Sequence, residues 1–174
     1  MSRIPFADPD KVADRELLDA ILARRGGKLI DLDRMLLHSA ALARGWNGHL
    51  GQVRTGLALD AKLRELAILA VAVINGADYE YQQHQPVFFA GGGTKAQADA
   101  LLDIDRALDD TAMFDAAERA VLALSVEMTR DVRVSDATFA VARRELGSDQ
   151  AVVEMVGVVA TYNMVSRFLV ALGI

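Results

Sequence analysis

The sequence predicts an all-α fold of seven or eight helices. Three observations carry that reading. Apolar residues recur at spacings of three and four along most of the 174 residues. Ser, Thr or Asp precedes the apolar runs and Gly follows many of them, the order expected of helix caps. No sustained two-residue alternation marks a strand, and Asn75-Gly76 does not join alternating runs.

Residues 1–12 hold two of the three prolines and read as an extended arm. Ala13 to Arg24 carries Leu17, Leu18, Ile21 and Leu22 on one stripe, stopped by Gly26-Gly27. Leu32 to Gly56 reads as helix with interruptions, with Ser39 as a cap and Trp46, Leu50 and Val53 on an inner face. Asp60 opens a helix to about Ile74 whose later part is apolar on every side, so it should be buried all round. Asn75-Gly76 ends it. Asp78 then reads as the cap of a helix from Tyr79 to about Phe89, ended by Gly91-Gly92-Gly93. That glycine run is no phosphate loop, because neither a preceding strand nor a following Lys-Ser/Thr is present. Thr94 with Gln97, and Asp115 with Glu118, are capping boxes. Ser135 opens a helix closed by Gly147, and Ser148 caps a long final one. The whole is expected to be a single domain, 1–174, large enough to bury a core without staples.

Composition narrows the function classes. Apolar residues are 52% and the net charge is −5. The apolar excess points to surface buried between subunits. No Lys/Arg cluster interleaves with aromatics, so nucleic acid is not an expected partner. The apolar stretches are interrupted by Glu154, Asn163 and Arg167 or are short, so no membrane span is expected. The N-terminus lacks a signal-peptide core, which points to the cytoplasm. There is no cysteine, which removes disulfides, thiolate nucleophiles and thiolate metal ligands together.

The organising stretch is Arg64 to Pro86. Glu80 and His84 lie four apart and share a helix face. A carboxylate beside an imidazole orients the ring and raises its basicity, which equips the pair to move protons near neutral pH. Glu80 also falls in a first turn, where N–H groups favour an anion. The bland alternative is a surface i,i+4 pair. Glu65 heads a buried helix; it is either part of the site or an exposed partner of Lys62 or Arg64. The break at Asn75-Gly76 is what would bring it towards Glu80, since fifteen residues of continuous helix span roughly 22 Å. Tyr79, Tyr81, Trp46, Tyr162 and Phe168 are either pocket lining or core filling. Asn163 and Arg167, four apart, either face a cavity and hold a carboxylate or make a subunit contact. Glu80-to-His84 lacks the Glu-x-x-His spacing of di-iron bundles, and His38 and His49 read as packed or solvated, so neither a metal nor another cofactor is expected. One internal echo stands out: ELAILAVAV from Glu65 resembles ERAVLALSV from Glu118. A decayed repeat and a chance likeness of two buried helices both explain it.

The frame Glu65, eleven residues, Ala77, two residues, Glu80, three residues, His84 resembles the core of the carboxymuconolactone decarboxylase and alkyl hydroperoxide reductase D-like (AhpD-like) superfamily. In the peroxidase branch Ala77 and Glu80 are replaced by cysteines. The tyrosine-flanked Glu80 and the ending TYNMVSRFLVALG are similar to a cysteine-free branch. The resemblance spans roughly residues 35–174. It implies an AhpD-like helical bundle and a homo-oligomer, a trimer or hexamer, with its site at the start of the Glu80 helix near a subunit boundary. A peroxidase cycle needs one thiolate to attack and a second thiol to resolve, so a chain without cysteine does not run it.

Two functions follow as expectations. One is an acid/base enzyme acting on a small organic acid, lactone or enolisable carbonyl, with Glu65, Glu80 and His84 catalytic and Tyr79, Tyr81, Trp46, Asn163 and Arg167 binding substrate. In it His84 is the acid/base group, Glu80 orients it or carries a second proton, and Glu65 tunes the pair. The other is a non-catalytic oligomer in which the former redox site packs or binds a small molecule.

Overall fold

The structure is a computed structural model and describes residues 2–174. Among the described residues there are ten α-helices and no strand. They are α1 (Arg15–Arg24), α2 (Asp31–Leu36), α3 (Ala40–Thr55), α4 (Ala61–Asn75), α5 (Asp78–Ala90), α6 (Lys95–Leu101), α7 (Ile104–Asp109), α8 (Ala116–Arg130), α9 (Asp136–Leu146) and α10 (Asp149–Leu172). The count exceeds seven or eight because α2 and α7 are six residues each, too short to display a period. The arm is not extended throughout: Pro9–Lys11 forms one 3₁₀ turn, with the Asp10 N–H donating to Asp8 Oδ1 at 3.1 Å.

The described chain divides into two compact units, one running to Leu57 and including Ala171–Ile174, the other Ala58–Val170. In the first, α1 and α2 pack on α3. Leu17, Leu18 and Ile21 of α1 and Trp46, Leu50 and Val53 of α3 are buried, the stripes that the sequence marks. Ser39 caps α3.

In the second unit α4 is central. Residues 65 to 72 are consecutively buried, as a helix apolar on all sides must be. α5 and α8 both pack on it. Leu66, Leu69, Phe88, Leu101, Phe114 and Leu122 join in one cluster drawn from α4, α5, α6, α8 and the loop before α8. Gly93 is fixed by this packing, since a Cβ there would lie 2.4 Å from the Phe88 ring. Asp60, Thr94, Asp115 and Ser135 cap their helices, and Ser148 Oγ accepts from the Ala151 N–H at 3.1 Å.

Two sequence readings need correcting. α5 begins at Asp78 with Ala77 at its cap and no side-chain cap bond. Gly76 takes φ 64° and ψ 34° and the Ala77 N–H closes on Ala72 O at 2.8 Å, so the turn is complete one residue early and Asp78 falls inside the helix. The second correction concerns α10. It is unbroken and, by length and composition, apolar enough to cross a membrane. Half of its most apolar window is buried inside the chain, as in the core helix of a folded domain.

Candidate functional site

Glu65 sits in the second turn of α4, where the buried face begins, and is 2% exposed. Gly76 has no Cβ to clash in the left-handed region, and the reversal it permits lays α5 back against α4. His84, one turn beyond Glu80 on α5, thereby reaches Glu65: its Nδ1 lies 2.7 Å from Glu65 Oε2. Arg64 Nε donates to the other oxygen, Oε1, at 3.2 Å. Lys62, the alternative partner, instead lies 2.6 Å from Glu118 Oε1.

Glu65 joins the pair that the spacing argument named. The carboxylate that holds the ring through Nδ1 is Glu65, nineteen residues away, while Glu80 Oε1 accepts from Ser166 Oγ at 2.9 Å. The i,i+4 spacing puts Glu80 on the face of α5 that carries His84. α10 supplies the cover. Tyr162 meets the His84 ring edge-on, centroids 5.0 Å apart and planes at 86°, and Ser166, one turn later, meets Glu80. Since 80 pairs with 166 and 84 with 162, α10 runs antiparallel to α5 here.

A carboxylate can only accept, so in the neutral ring the proton sits on Nδ1 and the basic lone pair on Nε2. Glu65 is thus placed to steady the imidazolium formed when Nε2 takes up a proton, and Arg64 balances the carboxylate. His84 is 8% exposed and Glu80 2%. The carboxylate–imidazole pair is therefore held in a low-dielectric setting, where charge interactions are stronger than in water.

The remaining candidates are placed as follows. Tyr79 is half-buried in the first turn of α5. Tyr81 gives its hydroxyl to Ala98 O at 2.7 Å and packs on the core cluster; burial foremost pushes its phenol above the ordinary range. Asn163 is buried: Oδ1 accepts from Asn75 Nδ2 at 3.1 Å and from Arg167, and Nδ2 donates to Thr129 Oγ1 at 2.9 Å. Trp46 lies buried in α3, in the first unit. Among the described residues no group of three or more His, Asp or Glu could hold a metal ion.

Ser166 was not among the sequence candidates. A serine on an apolar helix reads as filler, although its place one turn from Tyr162 on a buried face was a usable signal.

The model of the carboxymuconolactone decarboxylase family matches residues 40–122. The match takes in Glu65, Ala77, Glu80 and His84 and ends before Tyr162, Asn163, Ser166 and Arg167. No match to the sequence is found among curated proteins. A crystal structure of an uncharacterized peroxidase-related protein from Silicibacter sp. TM1040 is similar over 99% of this chain and 88% of that one, at 20% identity and a TM-score of 0.80. The debrominase Bmp8, in a Cys-to-Ala variant complexed with 2,3,4-tribromopyrrole, is similar over 99% and 92%, at 15% identity and a TM-score of 0.78. At such identities the likeness is one of fold, and the fold is the AhpD-like helical one.

Proposed function

We propose that the chain is an acid/base enzyme of the carboxymuconolactone decarboxylase kind, acting on a small organic acid, lactone or enolisable carbonyl. The observation that carries this is the buried contact of 2.7 Å between His84 Nδ1 and Glu65 Oε2. His84 Nε2 removes a proton next to a carbonyl or returns one to a carbanion. Glu65 retains the Nδ1 proton and compensates the transient imidazolium. Glu80, held through Ser166, is the second proton carrier. Arg167 and Tyr79 are assigned to the substrate's carboxylate and ring. The chain's lack of cysteine leaves a thiol peroxidase cycle without its nucleophile. We place the enzyme in the cytoplasm as a homo-oligomer, a trimer or hexamer.

A panel of carboxylated lactones and β-keto acids, followed for CO₂ release and for deuterium incorporation in D₂O, tests the reading. His84→Gln should lower turnover by about 10²- to 10⁴-fold, the usual worth of a positioned acid/base group, with cooperative melting retained. Turnover equal to wild type would refute the role.

The second reading, a non-catalytic ligand-binding oligomer, is favoured by the burial of Glu65 and Glu80, each 2% exposed. It predicts panel members that bind in calorimetry yet are recovered without exchange or loss of CO₂.

A further inference from the structure

The proton-handling site makes no use of a groove between α8 and α9 in the second unit. Its volume is about 360 Å³, within the range of small-ligand sites. Leu108 of α7, Ala120 and Ala123 of α8, and Ala137 and Val141 of α9 give it an apolar wall. The alanines leave open the space that larger side chains would fill in a packed helix pair. Three charged residues also line it: Arg119, Arg144 and Glu145. Arg144 Nε and Nη2 lie 2.9 Å and 2.8 Å from Glu145 Oε1, so those two charges cancel. Thr138, the other polar side chain of the lining, gives its hydroxyl to Glu127. Among the described residues of the lining, Arg119 is left as the uncompensated charge.

Arg119 is poorly placed for a purely structural duty. It is half-buried and stands near the start of α8, by the end of the helix dipole that disfavours a cation. Its side chain donates from Nη1 to the Phe114 carbonyl, and among the described residues no carboxylate lies at ion-pair distance from it. Asp115 and Glu118, the acids nearest in the sequence, face other partners. Asp115 Oδ1 accepts from the Glu118 N–H at 2.9 Å, and Glu118 Oε1 meets Lys62 Nζ at 2.6 Å. Acids are not in short supply: Ala58–Val170 holds seventeen Asp/Glu against ten Lys/Arg. A guanidinium partly withdrawn from water keeps its proton. With only a neutral carbonyl beside it, the remaining edge of its donor fork is matched by a carboxylate.

We propose that this groove binds a monocarboxylate with a short apolar body, its carboxylate on Arg119 and its hydrocarbon along Ala120, Ala123, Ala137 and Val141. One negative charge matches the one uncompensated cation. Thr138, already engaged, has no hydroxyl proton to offer a more polar body. The site shares no residue with Glu65, Glu80 and His84 and does not depend on the activity proposed for them.

Calorimetry and amide chemical-shift mapping of the full chain with hexanoate test this. Acetate, which keeps only the charge, and hexan-1-ol, which keeps only the chain, are the controls. Hexanoate should shift the amides of Ala120, Ala123 and Ala137 saturably and bind more tightly than acetate, by up to about fourfold for each methylene buried. Arg119→Gln should melt cooperatively and bind hexanoate about tenfold or more weakly, the loss expected for one charge-assisted pair. Arg119→Lys, which keeps the charge without the fork, should retain part of the affinity. Ala137→Leu, at an exposed position of α9, fills the groove without touching the charge and should also weaken hexanoate. The proposal is overturned by the absence of a saturable shift, by equal binding of acetate or hexan-1-ol, or by wild-type affinity in Arg119→Gln or Ala137→Leu. Shifts confined to the surroundings of Glu65 and His84 overturn it as well, since the acid would then sit in the proton-handling site. So does a changed subunit count in Arg119→Gln, read by light scattering, without hexanoate binding by wild type, since an acid of a second copy would then be the occupant.

Discussion

In the α4–α5 hairpin the carboxylate near the head of the first helix, Glu65, looks across to the second helix and meets an imidazole. In the α8–α9 hairpin the carboxylate at the matching place in the sequence echo, Glu118, looks away from its second helix. It takes Lys62 Nζ at 2.6 Å, Gln97 Nε2 at 3.1 Å and the Asp115 N–H at 2.9 Å. Both acids are buried. What separates them is the partner. An amide and a backbone N–H do not titrate, and the lysine completes a closed set, so Glu118 is a fixture joining α4, α6 and α8. An imidazole is the partner whose ordinary range falls near neutrality, which is what the proposed acid/base role asks of the residue beside Glu65. A buried acid at the head of a helix is therefore not a functional signal by itself; its contacts decide.

The largest effect expected from this contrast is an exchange of phenotypes. Glu65→Gln should lower turnover by about 10²-fold or more, because an amide cannot compensate the imidazolium, with a cooperative melt. Glu118→Ala should leave turnover near wild type but cost about 2–3 kcal/mol in urea unfolding, since it strands the Lys62 ammonium, the Gln97 amide and the Asp115 N–H. Lys62 is 27% exposed, which places the cost at the lower end for a broken buried pair. If Glu118→Ala abolished turnover while Glu65→Gln kept it, the division of roles would be wrong.

This contrast also marks how far the sequence can be read. The fold class, the caps at Ser39, Asp60, Thr94, Asp115, Ser135 and Ser148 and the stop at Gly76 were legible, because each rests on contacts within a few residues. The aim of Glu65 was not. Its partner is nineteen residues away across a reversal, beyond the reach of the i,i+4 rule that ties Glu80 to His84. Ser166 is 86 residues from Glu80, and no local pattern ties the two. The short α7 lay hidden because six residues give the apolar period no room to repeat.

The turns of the two hairpins differ as their acids do. Both place a residue in the left-handed region, Gly76 at φ 64° and Val132 at φ 66°. Glycine adopts it without strain, whereas a β-branched residue there is a genuine outlier. Val132 is 83% exposed, so little packing offsets its strain. Val132→Asn should therefore stabilise by about 1 kcal/mol, Asn tolerating this region better. Gly76→Ala should destabilise by about the same amount through the backbone alone, because its Cβ would meet nothing within 4 Å. Opposite signs in chemical unfolding would sharpen the comparison; a loss of stability in Val132→Asn would mean that the strained turn is held by contacts of Val132 in an assembly.

The smallest effect belongs to the clasp that holds the strained turn closed. Glu127 on α8 accepts from the Ser135 N–H at 2.6 Å and from Thr138 Oγ1 at 2.5 Å, so one carboxylate ties down the first turn of α9. The Thr138 hydroxyl foremost, then the Ser135 backbone, hold its carboxyl below the usual range. A carboxyl lowered on folding adds stability that is fully present above its unfolded value and is lost as pH falls through the folded one. The clasp is mostly solvent-facing, so its worth is below about 1 kcal/mol. The difference in melting temperature between wild type and Glu127→Gln should accordingly be constant from pH 8 to about 5 and shrink on further acidification, as the wild-type carboxyl takes up its proton. A difference that grew on acidification would show that Glu127 repels its surroundings instead of binding them, and the account of how the second hairpin tolerates Val132 would fail with it.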